Sequence, residues 1–252
     1  MTPERRLELL ERVTNAFAEE IDRHDPGAAV PWPQWPDVRT LVGHLGGVHG
    51  WAAQALWAGE EVPAPVDVPA PDGAARAWYL ERRAVLLEAL RSLPVDAPCW
   101  TFTGADHTAG FWRRRMVFET AKHLSDLRAA GDAGWRGVDE LDADGSADGV
   151  DELFEVFLAR SRRDLAALPG PVLLEASDSD RRWVVLPDWV VLPDRAVRGG
   201  VDVPGGSVVR ARAADLALLV WDRADPATDP GRFDVSGDPA PIAAFRDAPI
   251  HP

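Results

Sequence analysis

The sequence predicts a helical N-terminal domain followed by a small α+β domain. Up to about residue 167, apolar residues recur at three- and four-residue steps, the spacing of amphipathic helices. After "PGP" at 169–171, short runs of β-branched and aromatic residues are bounded by Gly, Pro and Asp, which is typical of strands. We therefore expect two domains, residues 1–167 and residues 168–252.

Five helical segments are predicted in the N-terminal domain. The first, "PERRLELLERVTNAFAEEID" at 3–22, has a proline in its first turn and an apolar face formed by Leu7, Leu10, Val13, Phe17 and Ile21. The others are expected at about 38–57, 73–92, 111–130 and 150–167. The Pro/Trp-rich connector "DPGAAVPWPQWPD" cannot continue the first helix, whereas its last residue, Asp37, can cap the second. Gly131 is the expected stop of the fourth.

The C-terminal domain is predicted from shorter patterns. "RRWVVLPDWVVL" and "GGSVVRARA" indicate strands, and "AADLALLVWDRA" indicates a short helix. "GRFDVSGD" is expected to form a strand or turn, and "PAPIAAFRD" a final helix.

Composition narrows the classes of function. The formal charge of −14 argues against nucleic acid and anionic membranes as partners. No apolar run approaches the roughly 20 residues of a membrane span, and the N-terminus lacks the basic start and apolar block of a signal peptide. We therefore expect a soluble, cytoplasmic protein. With Cys99 as the single cysteine, a metal site must use histidine and carboxylate ligands.

The segment "FETAKHLSD" contains a candidate metal clamp. Glu119 and His123 are four residues apart, so both side chains lie on one face of the fourth helix. A catalytic metal needs a third protein ligand. On the second helix, His44 falls on a stripe with Leu41, Val48, Trp51 and Ala55, which points it inward. His49 is five residues further along the helix and is expected at the periphery.

The spacing by itself leaves an ordinary alternative open. A Glu–His pair four residues apart is common on helix surfaces, and a buried histidine is more often hydrogen-bonded than metal-bound. Asp126, one turn after His123, could orient a ligating imidazole. The glycines in "GHLGG", around His44, weaken a helix unless they permit close packing against a neighbour.

Longer motifs resemble a known family. "WPDVRTLVGHLGGVHGWAAQAL", "TAGFWRRRMVFETAKHLSD" and "DGVDELFEVFLAR" resemble, in order, motifs of the mycothiol-dependent maleylpyruvate isomerase-like branch of the DinB superfamily. "VVRARAADLALLVWDRA…VSGDPAPIAAF" resembles that branch's C-terminal domain. The resemblance implies a DinB-type up-and-down four-helix bundle with a sterol-carrier-like α+β domain. It also implies a divalent metal, expected to be zinc, held by His44, Glu119 and His123.

The chemistry implied by the resemblance is thiol activation. A divalent cation stabilises a thiolate, and the family supplies mycothiol as the thiol co-substrate. Addition of a metal-bound thiolate to a small electrophile would give transfer, or isomerisation after bond rotation and loss of the thiol. Two alternatives stay open: a tailoring or hydrolytic enzyme that uses metal-activated water, and a non-catalytic binding or stress-response protein. A homodimer is also left open, because DinB-type bundles often dimerise.

Three further residues are candidates for binding or catalysis. Arg223 matches an arginine of the family's C-terminal motif, where it would face a cleft between domains; the alternative is an exposed arginine after a short helix. Arg115 could bind an acidic group of the thiol or substrate, although an ion pair with Glu119 is favoured. Trp112 could form a pocket wall, although core packing is favoured.

The chain also departs from the family pattern beside the clamp. Leu124 and Ser125 stand where relatives commonly have an arginine and a tryptophan, and Lys122 replaces a small apolar residue. We interpret these differences as affecting the choice of thiol or substrate while leaving the metal ligands intact.

Overall fold

A computed structural model describes residues 1–32, 34–103, 106–132, 137–192 and 204–250. The chain folds into two compact units, Met1–Glu140 and Leu141–Pro252. The first unit is helical, and the second contains a mixed sheet with helices. None of the described helices is both long enough and apolar enough to cross a membrane.

Four long helices build the first unit. They are α1 (Pro3–Ile21), α2 (Val38–Ala58), α3 (Ala75–Ser92) and α4 (Ala109–Arg128). Helix α1 packs along α4, α2 packs along α3, and contacts between α2 and α4 close the bundle. The first four of the five predicted segments are present, with ends within about two residues of the prediction, as expected for strongly periodic segments.

Local chemistry sets the ends of these helices. The Thr2 hydroxyl accepts a hydrogen bond from the Arg5 amide at 3.2 Å, which caps α1. The Asp37 carboxylate accepts from the Thr40 amide at 2.8 Å, so the predicted cap of α2 is confirmed. Gly131 has φ +66° shortly after α4 ends, a conformation that glycine adopts without steric cost. Helix α4 itself ends earlier than predicted, at Arg128 with Ala129 as its C-cap, so Gly131 only turns the chain after the helix.

Two glycines of α2 lie in close contacts that a side chain would block. A Cβ on Gly43 would be 2.0 Å from the carbonyl oxygen of Val68. A Cβ on Gly46 would be 2.2 Å from the ring of Trp78, on α3. The expectation of close packing at "GHLGG" is confirmed, with the added finding that one of the partners is the loop after α2 and not a helix. These contacts fix that loop and α3 against the helix that carries His44.

The second unit is organised around a five-stranded sheet. The strands are β1 (Val172–Ala176), β2 (Arg182–Val185), β3 (Val191–Leu192), β4 (Ser207–Ala211) and β5 (Asp234–Gly237). Their spatial order is β3-β2-β1-β4-β5, and only the β1–β4 pair among them is parallel. Among the described residues of this unit, the α-helices of eight or more residues are α5 (Ala143–Glu152), α6 (Ala213–Val220) and α7 (Pro239–Arg246).

The sequence prediction misplaced two elements of this unit. Helix α5 begins at Ala143 instead of about 150, because the Asp142 carboxylate caps it by accepting from the Gly145 amide at 2.8 Å. After Glu152 the chain continues as a π-helical stretch, Leu153–Leu158. Strand β1 was not predicted, although it pairs with both β2 and β4 and so holds the sheet together.

The fold class is confirmed: a four-helix N-terminal region precedes a small domain with a mixed sheet. The two compact units of the structure meet between residues 140 and 141, whereas the predicted domain boundary lies between 167 and 168. The difference arises because α5 packs against α6 of the second unit. The domain division at 167/168 and the sterol-carrier likeness of the second domain stay predictions.

Substitution of Gly46 by alanine tests the close contact with α3. The new methyl group would overlap the Trp78 ring, so we expect Gly46→Ala to lower the free energy of unfolding by about 1–3 kcal/mol. Gly47→Ala is the matched control, because its Cβ would meet Pro65 at an ordinary 3.6 Å and alanine favours helix. Urea unfolding measures both; equal stability of the two variants would contradict the packing role.

Candidate metal centre

Three side chains from two helices converge in the first unit. His44 lies on α2, and Glu119 and His123 lie one turn apart on α4. The Glu119 Oε1 atom is 3.1 Å from Nε2 of His123 and 3.5 Å from Nε2 of His44. One potential ligand atom from each residue lies within 4.8 Å of the other two. The predicted triad is thus assembled.

Each histidine of the triad is oriented by a second carboxylate. The Nδ1 atom of His44 is 2.7 Å from Oδ1 of Asp67, and the Nδ1 atom of His123 is 2.9 Å from Oδ2 of Asp126. A carboxylate beside Nδ1 favours the tautomer with the proton on that nitrogen, which leaves the Nε2 lone pair available. In that tautomer, both imidazoles would offer an Nε2 lone pair to a cation bound beside Oε1 of Glu119. The predicted position of Asp126 behind His123 is confirmed.

The other oxygen of Glu119 is held by two cations. Oε2 is 2.5 Å from Nη2 of Arg115 and 3.2 Å from Nζ of Lys122. Burial of the carboxylate opposes its ionisation, but Lys122, Arg115 and His123 together hold the pKa of Glu119 well below its usual range. The carboxylate is consequently ionised, with Oε1 directed at the histidines.

An indole ring covers the two histidines. The ring centroid of Trp35 is 4.0 Å from that of His44 and 5.5 Å from that of His123. Trp35 comes from the Pro/Trp-rich connector between α1 and α2, and is only 9% exposed. The connector thus contributes an apolar wall that limits access of water to the imidazoles.

The donor set fits a divalent metal ion. Two neutral imidazole nitrogens and one carboxylate oxygen are a ligand combination found in catalytic zinc sites, which leave further positions for water or substrate. The two carboxylates behind the histidines match the usual support of metal-bound imidazole. Burial lowers the pKa of His44, whereas contacts with Glu119 and Asp67 raise it. The net effect is a raised pKa. A proton therefore competes with a cation for this nitrogen.

His49 differs from its predicted position. The residue was expected at the periphery but is 0% exposed, and its Nε2 is 3.0 Å from the hydroxyl of Thr120. Its Nδ1 atom has no hydrogen-bond partner within the part of the chain that the structure describes. Burial lowers the pKa of His49 to about 3. His49 is therefore a neutral core residue between α2 and α4.

The remaining candidates have contacts that packing and ion pairing explain. Trp112 is 0% exposed within an aromatic cluster and donates its indole N–H to the Trp100 carbonyl at 2.9 Å, so core packing accounts for its contacts. Arg115 forms the expected ion pair with Glu119. Arg223 belongs to the second unit, where its guanidinium donates to the Trp221 carbonyl at 2.7 Å. Ligand-binding or catalytic roles for these residues stay predictions.

The first unit matches a described family of domains. A family profile, "Mycothiol maleylpyruvate isomerase N-terminal domain", matches residues 7–128, which contain all three triad residues. This part of the chain belongs to that family. The predicted family resemblance is thereby confirmed. No curated protein matches the chain.

Solved structures share the fold over nearly the whole chain. A crystal structure of the mycothiol-dependent maleylpyruvate isomerase is 15% identical, with a TM-score of 0.65 and 96% coverage of each chain. A variant of that enzyme with one histidine changed to alanine is 16% identical, with a TM-score of 0.66 and the same coverage. At this level of identity, the likeness establishes a shared architecture.

The site of this isomerase-family domain contains residues that sequence reasoning missed. Asp67 lies in a loop interpreted only as a connection, and Trp35 in a connector with no helical pattern. No sequence pattern around Asp67 or Trp35 indicates its contact with His44, because that contact forms only when the loop or connector packs against α2. Of the three departures from the family pattern, Lys122 touches the triad, whereas Leu124 and Ser125 are each 0% exposed.

Removal of the carboxylate behind His123 tests metal binding. We expect Asp126→Asn to weaken Zn²⁺ binding about 10- to 100-fold, because the imidazole loses its fully buried anionic partner. Asp67→Asn should have a smaller effect, since the Asp67 side chain is 46% exposed. Asp72→Asn is a matched control from the same loop, and its side chain is 81% exposed.

Competition titration with a chromophoric chelator measures these affinities. In the wild type, affinity should fall as pH decreases through the raised pKa of His44. Equal zinc affinity in all three variants would contradict the assignment of Asp126 as the support of a metal ligand.

The low pKa of His49 predicts a pH-dependent stability of the metal-free protein. In the unfolded chain this histidine gains a proton below about pH 6.5, whereas in the folded protein it stays neutral down to about pH 3. Its contribution to stability is therefore complete above pH 6.5 and declines as pH falls, by up to about 1.4 kcal/mol per pH unit. His49→Gln should unfold in urea with a shallower loss of stability between these limits. The exposed His107→Gln variant should retain the wild-type slope.

Proposed function

We propose that this protein is a metal-dependent enzyme that uses a low-molecular-weight thiol of the mycothiol type against a small electrophile. The observation that carries the proposal is the convergence of His44, Glu119 and His123, with their Nε2 and Oε1 atoms facing one another. The triad lies in a domain of the mycothiol maleylpyruvate isomerase family, which supports thiol-dependent isomerisation as the general activity.

The thiol must come from outside the protein. Cys99 is the single cysteine of the chain and is 4% exposed. Burial and the nearby Asp106 carboxylate raise the pKa of Cys99 to about 11, so almost no thiolate forms at neutral pH. A protein thiol is therefore unsuited to be the nucleophile, and a co-substrate thiol fits the chemistry better.

The residues of the triad hold the cation and set its surroundings. A divalent cation bound there stabilises the deprotonated form of a thiol, which is the nucleophilic form. Arg115 and Lys122 keep Glu119 ionised and directed at the histidines. Trp35 packs against both imidazoles and shields them from water.

The thiol can promote two related reactions. Addition of the thiolate sulfur to one carbon of an electrophilic alkene forms a C–S bond and converts the double bond into a single bond. Rotation about that bond and expulsion of the thiolate give the isomer and regenerate the thiol. Protonation of the adduct at carbon would instead give a conjugate. We favour isomerisation because the structurally similar enzyme is named a maleylpyruvate isomerase.

Turnover of maleylpyruvate with mycothiol tests this proposal. The zinc-loaded wild type should isomerise the substrate only when the thiol is present. His44→Ala and Glu119→Gln should each lower kcat/KM at least about 100-fold, because each removes a side chain that would bind the cation directly. Cys99→Ala is the matched control and should retain turnover, since the reacting sulfur is the co-substrate's. Absorbance of the keto-acid follows the reaction.

Three other outcomes would redirect the assignment. Metal-dependent turnover without added thiol would indicate metal-activated water instead. Stoichiometric metal with neither turnover nor a thiol-dependent increase in Tm would favour a binding protein. Metal content that is unchanged after substitution of all three triad residues by alanine would reject the site.

A further inference from the structure

A second candidate site lies entirely within the second unit. The described residues there enclose a cavity of about 470 Å³, a volume in the range of small-molecule sites. The cavity is distinct from the metal triad, because every residue in its described wall follows residue 150. Its wall combines a continuous helical face with residues of strands β2 and β3 and the turn between them.

One wall of the cavity comes from the helical segment after α5. Phe154, Glu155, Leu158, Ala159 and Arg162 all line it, so a single face of the chain points inward over more than two turns. The first three belong to the π-helical stretch Leu153–Leu158. A π-helical turn is an uncommon local geometry that is found disproportionately at functional sites. Here it brings an aromatic and an aliphatic side chain to the same cavity.

The opposite wall contains a tryptophan in an unfavourable backbone conformation. Trp189 has φ +64°, in the left-handed region that a bulky residue rarely adopts. Its position, third in the turn "PDW" between β2 and β3, is one where glycine is usual. The indole is held by a 2.8 Å hydrogen bond to the Ala166 carbonyl and by stacking on Phe245. The strained turn thus places a rigid aromatic surface against the cavity.

The described wall carries three arginines and two carboxylates, Asp151 and Glu155. Asp151 is already engaged by the guanidinium of Arg181 and by the indole N–H of Trp183. Arg182 is paired with Glu175 at 2.6 Å. Within the described chain, the buried Nε of Arg181 has no acceptor and Arg162 has no ion-pair partner. A ligand that supplies an anionic acceptor would complete this wall.

We propose that this cavity binds a hydrophobic carboxylate, with its apolar body against Phe154, Leu158 and Trp189 and its carboxylate at Arg162. An arginine binds a carboxylate through two parallel hydrogen bonds, so it selects an acid over a neutral amide. The formal charge of the chain, −14, would repel an anion in general. Binding of a carboxylate at this cavity would therefore depend on the local attraction of the Arg162 guanidinium. The proposal is independent of the function assigned to the metal centre.

Calorimetric titration of the full-length protein tests the proposal. 2-Naphthoate and the neutral 2-naphthamide serve as probes, and a chelator removes metal ions so that the triad cannot bind the acid through a metal. We expect one site per chain and a Kd for naphthoate about fivefold below that for the amide. Arg162→Gln should abolish this preference. Arg163→Gln is the matched control, because both arginines are exposed but only Arg162 lines the cavity.

A cavity-filling variant tests the location separately from the charge. Ala159 is exposed at the rim, so Ala159→Trp should block the cavity without disturbing the core and weaken both probes at least about tenfold. Absence of naphthoate binding up to its solubility, or binding unaffected by Ala159→Trp, would overturn the site. Equal affinity for acid and amide in the wild type would overturn the class of ligand. None of these results depends on turnover at the metal centre.

Discussion

The buried carboxylate of Glu119 is the constraint on which the first unit depends. A charge removed from water is costly unless it is paired and hydrogen-bonded. Helix α4 supplies its own compensation, since Arg115 and Lys122 lie one turn on either side of Glu119 and both reach Oε2. The free oxygen, Oε1, is then committed to His44 and His123. Buried ionic networks contribute little net stability, so the effect of this one is to fix the position of Oε1.

The elements around Glu119 are placed by packing against α2. Gly43 permits the 68–70 segment to lie directly on the helix, and Asp67 in the same loop thereby reaches His44. Gly46 permits α3 to approach through Trp78. The glycines lower the intrinsic helix propensity of α2, and the contacts they allow offset that cost. The weakest part of the helix by local propensity is therefore the part that supports the candidate metal centre.

Elements set by local sequence patterns could be predicted, whereas elements that depend on contacts with distant segments could not. Helices α1 to α4 were predicted because their apolar periodicity extends over four or more turns. The start of α5 was missed because "ADGSADG" is a poor helix by propensity and becomes helical through the Asp142 cap and packing on α6. Strand β1 was missed because its five residues, VLLEA, show no regular alternation of apolar and polar side chains, and so short a segment is ambiguous until its partners on both sides are known.

For the candidate site, the sequence by itself determined what one helix can arrange. The spacing of Arg115, Glu119, His123 and Asp126 brings these side chains to one face of α4 whatever surrounds it. The apolar stripe on α2 also identified His44 as inward-facing. Only the tertiary structure decided that Asp67 and Trp35 reach His44 and that His49 is buried. Those contacts join segments remote in sequence, and their distances depend on how helices and loops pack, which no local pattern encodes.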